Sequence, residues 1–215
     1  VTAAKGFLAS GIKAGIKASG RKDLALIYSE VPAVAAGALT TNRCKAAPVK
    51  VSCAHLNAKV HQAIIVNSGN ANCANGRTGE RDAGAMASGA AKLLNLERRM
   101  VLVASTGIIG QKLPVEKIEK ALPVLICELS KDGGTAFAEA IMTTDTKKKE
   151  LAVKVSLGGS EVTIGGACKG VGMLYPEMKT ARHATMLAFF TTDVSISKRM
   201  LEESLDEAIS DSFNM

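Results

Sequence analysis

Short apolar runs and stretches of helical periodicity alternate along the 215-residue chain. Contiguous, largely aliphatic residues at 24–28, 63–66, 100–104 and 186–190 predict short buried strands. Alternating apolar and polar positions at 151–157 lead through Gly158-Gly159 into a second run at 161–164, which predicts a β-hairpin. Strand-forming segments therefore occur along the whole chain.

Helical patterns lie between these strands. The alanine-rich residues 80–94 predict a helix that can lie close to a sheet because its side chains are small. A second helix is expected to begin at Pro114 and to kink or restart at Pro123, a third to end at Thr143, and a last amphipathic helix to be capped by Ser197. No repeat or linker interrupts the pattern, which favours a single mixed α/β domain.

Polar and glycine-rich segments are predicted to be turns. Residues 67–70 and 105–107 follow apolar runs and are expected to end the strands sharply. Lys169 lies in a glycine-rich stretch, so its ammonium is expected in a turn that a ligand could approach. Residues 147–150 are interpreted as a solvated charge run.

Composition excludes several classes of protein. The chain is 47% hydrophobic but only 3% aromatic, which indicates an aliphatic globular core. Its formal charge of +7 comes without tryptophan and without a basic stripe interleaved with aromatics, so we expect no nucleic-acid partner. A positive surface also suits anionic metabolites such as glutamate.

Cysteine usage and hydropathy indicate the compartment. The five cysteines are odd in number and lack metal-ligand spacing, which argues against a disulfide framework and a zinc site and fits a reducing compartment. No apolar run reaches about eighteen residues, so no membrane span is expected. The prediction is a cytoplasmic protein, with an organelle matrix left open.

The junction Ala184–Thr185 lies between the glycine-rich stretch and an apolar run. A threonine hydroxyl attacks a carbonyl poorly unless a base removes its proton. A threonine freed at its amino end carries its own base, because its α-amine titrates near ~7.7–8.0. The junction therefore indicates a chain that cuts its own backbone to expose Thr185, although a threonine that only opens a strand gives the same local pattern.

Five segments in sequence order resemble the ornithine acetyltransferase family, which moves an acetyl group from N-acetylornithine to glutamate in arginine biosynthesis. They are residues 40–49 (TTNRCKAAPV), 66–72 (VNSGNAN), 105–110 (STGIIG), 140–146 (AIMTTDT) and 169–193. Members of that family are about twice as long, so the chain resembles their amino-terminal half plus the start of the second half.

This resemblance implies residue roles. Thr185 matches the nucleophile and Ala184–Thr185 the self-cleaved bond, so residues 1–184 resemble the α chain and 185–215 the start of the β chain. Thr106 and Gly107 match the pair that stabilises an oxyanion, and Thr143 and Lys169 match substrate-binding positions. The implied fold is the α/β sandwich of the self-cleaving, N-terminal-nucleophile-like type.

The resemblance also implies partners. The substrates are N-acetylornithine and glutamate, the transfer needs no metal or organic cofactor, and some relatives also accept acetyl-CoA as donor. The implied assembly is a heterotetramer of two α and two β chains formed by the fragments of one precursor.

One departure from the family pattern leaves two candidates for the nucleophile. Residues 179–183 look inserted between the Pro176-Glu177-Met178 segment and Ala184. Counting forward from Lys169 selects Thr180, whereas counting back from Met186 selects Thr185. We prefer Thr185, because it keeps both the preceding alanine and the following apolar run.

Two other functions fit parts of the sequence. An N-terminal-nucleophile amidohydrolase or aminopeptidase would use the same nucleophile with water as acceptor. A non-catalytic, basic binding half-domain would explain the positive charge without any cleavage.

Overall fold

The computed structural model describes residues 1–170 and 186–213, which form seven strands and five α-helices. The strands are β1 (Phe7–Ile12), β2 (Leu24–Ala33), β3 (His61–Asn70), β4 (Val101–Ile108), β5 (Lys149–Leu157), β6 (Ser160–Lys169) and β7 (Leu187–Thr192). The helices are α1 (Ala47–His55), α2 (Gly76–Leu94), α3 (Val115–Cys127), α4 (Gly134–Ala140) and α5 (Lys198–Ser210). None of these helices is both long and apolar enough to span a bilayer.

The larger sheet has the strand order β1-β2-β3-β4. The first two pairings are antiparallel, and β3 and β4 pair parallel. Parallel neighbours need a crossover connection, which α2 supplies. The carboxyl ends of β3 and β4 therefore lie side by side, with Ser68 opposite Thr106 and Gly69 opposite Gly107.

Each face of the larger sheet is covered by a separate apolar core. Because successive strand residues point to opposite faces, Leu24 and Leu26 of β2 contact the core shared with α2 and α3, whereas Ala25 and Ile27 contact the core shared with α4. Phe137 of α4 is fully buried there. The predicted mixed α/β sandwich is confirmed. Its layers are, in order, α2 with α3, the larger sheet, α4 and the smaller sheet.

The smaller sheet has the antiparallel order β5-β6-β7. Gly158 and Gly159 connect β5 to β6 with φ of +57° and +81°, the backbone that a tight two-residue hairpin turn requires. β7 joins the other side of β6, and Phe189 meets Phe137 edge-to-face with 5.4 Å between ring centroids. The predicted hairpin and the predicted strand at 186–190 are confirmed.

The predicted helices are also present, with shifted bounds. The segment at 80–94 belongs to α2, which begins at Gly76, and α3 continues through Pro123 to Cys127. Ser197 caps α5, since its hydroxyl accepts a hydrogen bond from the Met200 N–H at 3.3 Å. The third helix ends at Ala140, before the predicted Thr143.

Three predicted turns are strands. Residues 67–70 and 105–107 continue β3 and β4, because the two polar segments pair with each other in the parallel ladder. The glycine-rich stretch before Lys169 belongs to β6, where a Cβ on Gly166 would lie 3.0 Å from the Phe190 ring. Small residues there permit close packing on the neighbouring strand β7. In the sequence the same glycines predict a turn.

Candidate active site

A cavity of about 680 Å³ opens where β3, β4 and β6 end. Its described lining residues include four that the sequence analysis singled out: Thr106, Gly107, Thr143 and Lys169. They come from three separate parts of the chain, and the fold brings them to one surface. The loop before β2, the segment between β4 and α3 and the segment after α4 supply the other described lining residues.

Lys169 is the last residue of β6 and is only 4% exposed, so the expectation of a lysine in a turn is wrong. Its Nζ donates a hydrogen bond to the Thr106 hydroxyl at 3.3 Å. Burial lowers the pKa of Lys169, the Asp145 carboxylate opposes this shift and the Lys149 ammonium adds to it. The ammonium is thus held against β4 in a site where an anion would be bound strongly.

Thr106 and Gly107 form the edge of the cavity on β4. Gly107 has φ of +134°, and a Cβ there would lie 2.3 Å from the carbonyl carbon of Gly69. Only glycine fits here, because the backbones of Gly69 and Gly107 lie too close for a side chain. Thr106 and Gly107 are consecutive lining residues of the cavity, which is the arrangement that the expected oxyanion-binding pair needs.

Thr143 lies in the segment after α4, and its backbone is fixed from two sides. Its N–H donates to the Asp145 carboxylate at 3.2 Å, and its carbonyl accepts a hydrogen bond from Arg21 at 3.1 Å. The Arg21 contact comes from 122 positions away. Both bonds hold Thr143 at the cavity, although it is not the end of a helix as the sequence predicted.

Asp145 connects the two sides of the site. Its carboxylate is buried and accepts hydrogen bonds from the Gly170 N–H at 2.8 Å and the Lys149 ammonium at 2.7 Å, besides Thr143. Burial alone would raise the pKa of Asp145, but these bonds outweigh it and lower the pKa to about 2. Lys149 is the first residue of β5 and forms an ion pair with Asp145. The interpretation of 147–150 as a solvated charge run is therefore wrong at this position.

The stability of the protein should depend on Asp145 at acid pH. The folded-state pKa of about 2 lies below the ordinary value of 3.8, so this stabilisation is complete above about pH 4 and is lost as the pH falls towards 2. We expect Asp145→Asn in the full-length protein to lower the free energy of unfolding at pH 7 by about 2–4 kcal/mol. Urea denaturation at a series of pH values measures it.

The control for this prediction is Asp132→Asn, which removes an exposed carboxylate. It should leave both the stability at pH 7 and its acid dependence unchanged. If the free energy of unfolding of Asp145→Asn depended on acid pH as that of the unmodified protein does, the three hydrogen bonds of Asp145 would not stabilise the site.

A second buried carboxylate fixes another wall of the cavity. Asp23 is fully buried and accepts hydrogen bonds from the backbone N–H groups of Ala14, Ile16 and Lys17 at 2.6–2.8 Å. We call residues 13–22 the Asp23 loop. Neither Asp23 nor Asp145 is predicted from the sequence to belong to the site; the available signal for Asp23 is a carboxylate directly before a buried apolar run.

Amide side chains at the end of β3 support the same edge. The Ser105 hydroxyl donates to the Asn67 side chain at 2.5 Å, and Asn67 donates in turn to the Asn70 carbonyl at 2.9 Å. Asn70 donates to the carbonyls of Gln111 and Lys112, both at 3.1 Å. The segment that was predicted to be a turn is a buried polar network that holds the ends of β3 and β4 together.

Ala184, Thr185 and the alternative Thr180 lie outside the described residues, as does the segment 179–183. The residues that follow Thr185 are described. Leu187 pairs with Lys169 across β6 and β7, and a Cβ on Gly170 would lie 3.5 Å from the Met186 Cα. Met186 and Leu187 thus lie next to Gly170 and Lys169.

The family of the chain follows from its similarity to known proteins. The model of the ArgJ family matches residues 8–215. The chain belongs to the ArgJ family. The arginine biosynthesis bifunctional protein ArgJ of Thermosynechococcus vestitus is 50% identical over 215 residues, which are all of this chain and 50% of that protein. The ArgJ protein of Dehalococcoides mccartyi is 48% identical over 217 residues, with 100% and 52% coverage.

Solved structures agree with this assignment. The crystal structure of the Bacillus halodurans ArgJ protein matches with a TM-score of 0.78 and 40% identity, over 87% of this chain and 94% of that one. The Mycobacterium tuberculosis ornithine acetyltransferase in complex with ornithine matches with a TM-score of 0.76 and 41% identity, over 81% and 93%. This ArgJ-family chain spans about half the length of the full relatives.

A more distant structure shares the fold alone. The L-aminopeptidase D-Ala-esterase/amidase of Ochrobactrum anthropi, described as a variant of the Ntn hydrolase fold, matches with a TM-score of 0.56 at 13% identity, over 97% of this chain and 66% of that one. The predicted fold class is confirmed by the two solved structures at 40% and 41% identity, and it is the architecture of the ornithine acetyltransferase among them.

Proposed function

We propose that this chain supplies much of the active site of a self-cleaving enzyme that transfers an acetyl group from N-acetylornithine to glutamate. Cleavage at Ala184–Thr185 frees Thr185, whose hydroxyl takes the acetyl group as an ester while ornithine leaves. The amine of glutamate then attacks the ester and releases Thr185. The observation that supports the proposal is that Thr106, Gly107, Thr143 and Lys169 line one and the same cavity.

Each of these residues has a role in the proposed reaction. The buried Lys169 ammonium suits the α-carboxylate of an amino-acid substrate, because a charge-assisted bond is strong in a poorly hydrated site. Thr106 and Gly107 stabilise the oxyanion of the tetrahedral intermediate. Thr143 contacts the substrate from the segment after α4. The α-amine of Thr185 serves as the base, so no metal or organic cofactor takes part; acetyl-CoA is a possible second donor.

The remainder of the full-length precursor is the proposed partner. The outer face of the smaller sheet exposes an apolar patch that comprises Leu151, Val153, Leu157, Ile164 and Phe190. Such a patch marks an interaction surface, and the relatives extend well beyond the part that this chain spans. Phe190 of the β-chain-like part already contributes to this face, and we assign its cover to the rest of the β fragment, within a heterotetramer of two α and two β chains in the cytoplasm.

A product assay with the full-length protein tests this function. N-acetylornithine and glutamate should give ornithine and N-acetylglutamate in equal amounts. Free acetate without acetylglutamate would instead support an amidohydrolase of related fold. An uncleaved chain without either product that binds nucleic acid at low salt would support the non-catalytic alternative.

A further inference from the structure

We propose that Lys17 is a second carboxylate-binding residue of the cavity and recognises the side-chain carboxylate of the acceptor amino acid. The inference rests on the proposed acetyl transfer. Glutamate carries two carboxylates, whereas N-acetylornithine carries one carboxylate and no other anion. N-acetylornithine carries an ammonium at the end of its side chain, so a second cation in the cavity would contribute to binding of the acceptor and not to binding of the donor.

The charge of the cavity favours an anionic occupant. Four charged side chains are among its described lining residues, Lys17, Arg21, Lys112 and Lys169, and all four are cationic. No aspartate or glutamate belongs to this described lining. A cleft lined by one sign of charge raises the local concentration of the opposite ion, and glutamate is such an ion.

The backbone that carries Lys17 is fixed before any ligand arrives. The N–H of Lys17 donates to the Asp23 carboxylate at 2.8 Å and the N–H of Ile16 donates to the same oxygen at 2.6 Å. Bonds from amides to a buried carboxylate are short and strong. A cation on such a preorganised loop binds a ligand with little loss of conformational freedom.

The Lys17 side chain lies against Gly69, which is the strand neighbour of the proposed oxyanion residue Gly107. A Cβ on Gly69 would lie 2.9 Å from Lys17 Cγ on one side, and a Cβ on Gly107 would lie 2.3 Å from the carbonyl carbon of Gly69 on the other. The three residues are therefore stacked in close contact. This stacking places the stem of Lys17 one backbone layer away from Gly107.

The Lys17 ammonium retains binding capacity in this position. Its Nζ donates to the Lys22 carbonyl at 2.6 Å, and an ammonium has three N–H donors. Burial lowers the pKa of Lys17 to about 8; Asp23 and Asp145 oppose this shift, and Arg21 and Lys169 add to it. A bound carboxylate would favour the charged form again.

The acceptor specificity of a Lys17→Met variant of the full-length protein tests the proposal. Enzyme that has first been acetylated by N-acetylornithine is mixed with glutamate or with glutamine, which lacks the side-chain charge. We expect the KM for glutamate to rise about 10- to 100-fold, since that is the worth of one charged hydrogen bond. The preference for glutamate over glutamine should fall by the same factor. The rate at which N-acetylornithine acetylates the enzyme should change by less than about threefold.

Lys13→Met is the matched control, because Lys13 is exposed on the same loop and does not belong to the described lining of the cavity. It should keep the glutamate preference. If Lys17→Met does not accumulate as folded protein, Lys17→Gln retains polarity without the charge and should give the same loss of preference.

Two results would overturn the role of Lys17. One is an unchanged preference for glutamate over glutamine in these variants. The other is an equal fall in the rate of enzyme acetylation by N-acetylornithine and in the rate of acetyl transfer to glutamate, which would mean that Lys17 only supports the loop. Failure of the unmodified protein to acetylate glutamate would instead contradict the proposed function, so the two failures are distinguishable.

Discussion

Thr185→Ala in the full-length protein is expected to leave a single uncleaved chain with no measurable acetyl transfer. Alanine lacks the hydroxyl that would attack the preceding carbonyl during cleavage and the acetyl carbonyl during transfer. Without cleavage no α-amine is released to act as base, so both functions are lost together. Intact-mass measurement reports the cleavage, and acetylglutamate formation reports the transfer.

Two control variants separate the candidates for the nucleophile. Thr180→Ala should cleave and transfer like the unmodified protein, because it retains the Ala184–Thr185 bond. Thr185→Ser should cleave and retain part of the activity, because serine supplies a hydroxyl in the same place. Two fragments from Thr185→Ala and one from Thr180→Ala would move the cleaved bond to Thr180.

Thr106→Val is expected to lower kcat about 100- to 1,000-fold, the usual effect of losing one oxyanion donor. Valine keeps the branched shape of threonine in β4, so the strand should be retained. The variant also removes the acceptor of the Lys169 hydrogen bond. Steady-state kinetics of the cleaved protein measure the change, with KM for N-acetylornithine altered much less than kcat.

Thr163→Val serves as the matched control, since Thr163 is a buried strand threonine of β6 that is not among the described lining residues of the cavity. Its kcat should equal that of the unmodified protein. A Thr106→Val variant that raises KM and keeps kcat would show that the hydroxyl binds substrate in the ground state and does not stabilise the oxyanion.

Local patterns predicted the elements of this fold because their signals are short-ranged. The hairpin at 151–164 follows from alternation around Gly158-Gly159, and the last helix follows from Ser197 and the period of its charges. The assembly of the site from distant segments does not follow from such patterns. The residues at the cavity were found through the resemblance of whole segments to a family.

The missed features depend on contacts between distant residues. Residues 67–70 and 105–107 look like turns in isolation, but each supplies the strand partner of the other. Asp145 is polar and is followed by lysines at 147–149, yet it is buried because the folded chain brings the Gly170 N–H to it from 25 positions away, in addition to the local Thr143 N–H. Long-range hydrogen bonding of this kind leaves no periodic signal.

Peptide mapping of the full-length protein after incubation with N-acetylornithine alone tests the nucleophile most directly. The proposed reaction predicts a peptide that begins at Thr185 and carries one acetyl group, which hydroxylamine or glutamate removes from the hydroxyl. A peptide that still spans Ala184–Thr185 in active protein, or an acetyl group bound to another residue, would contradict it.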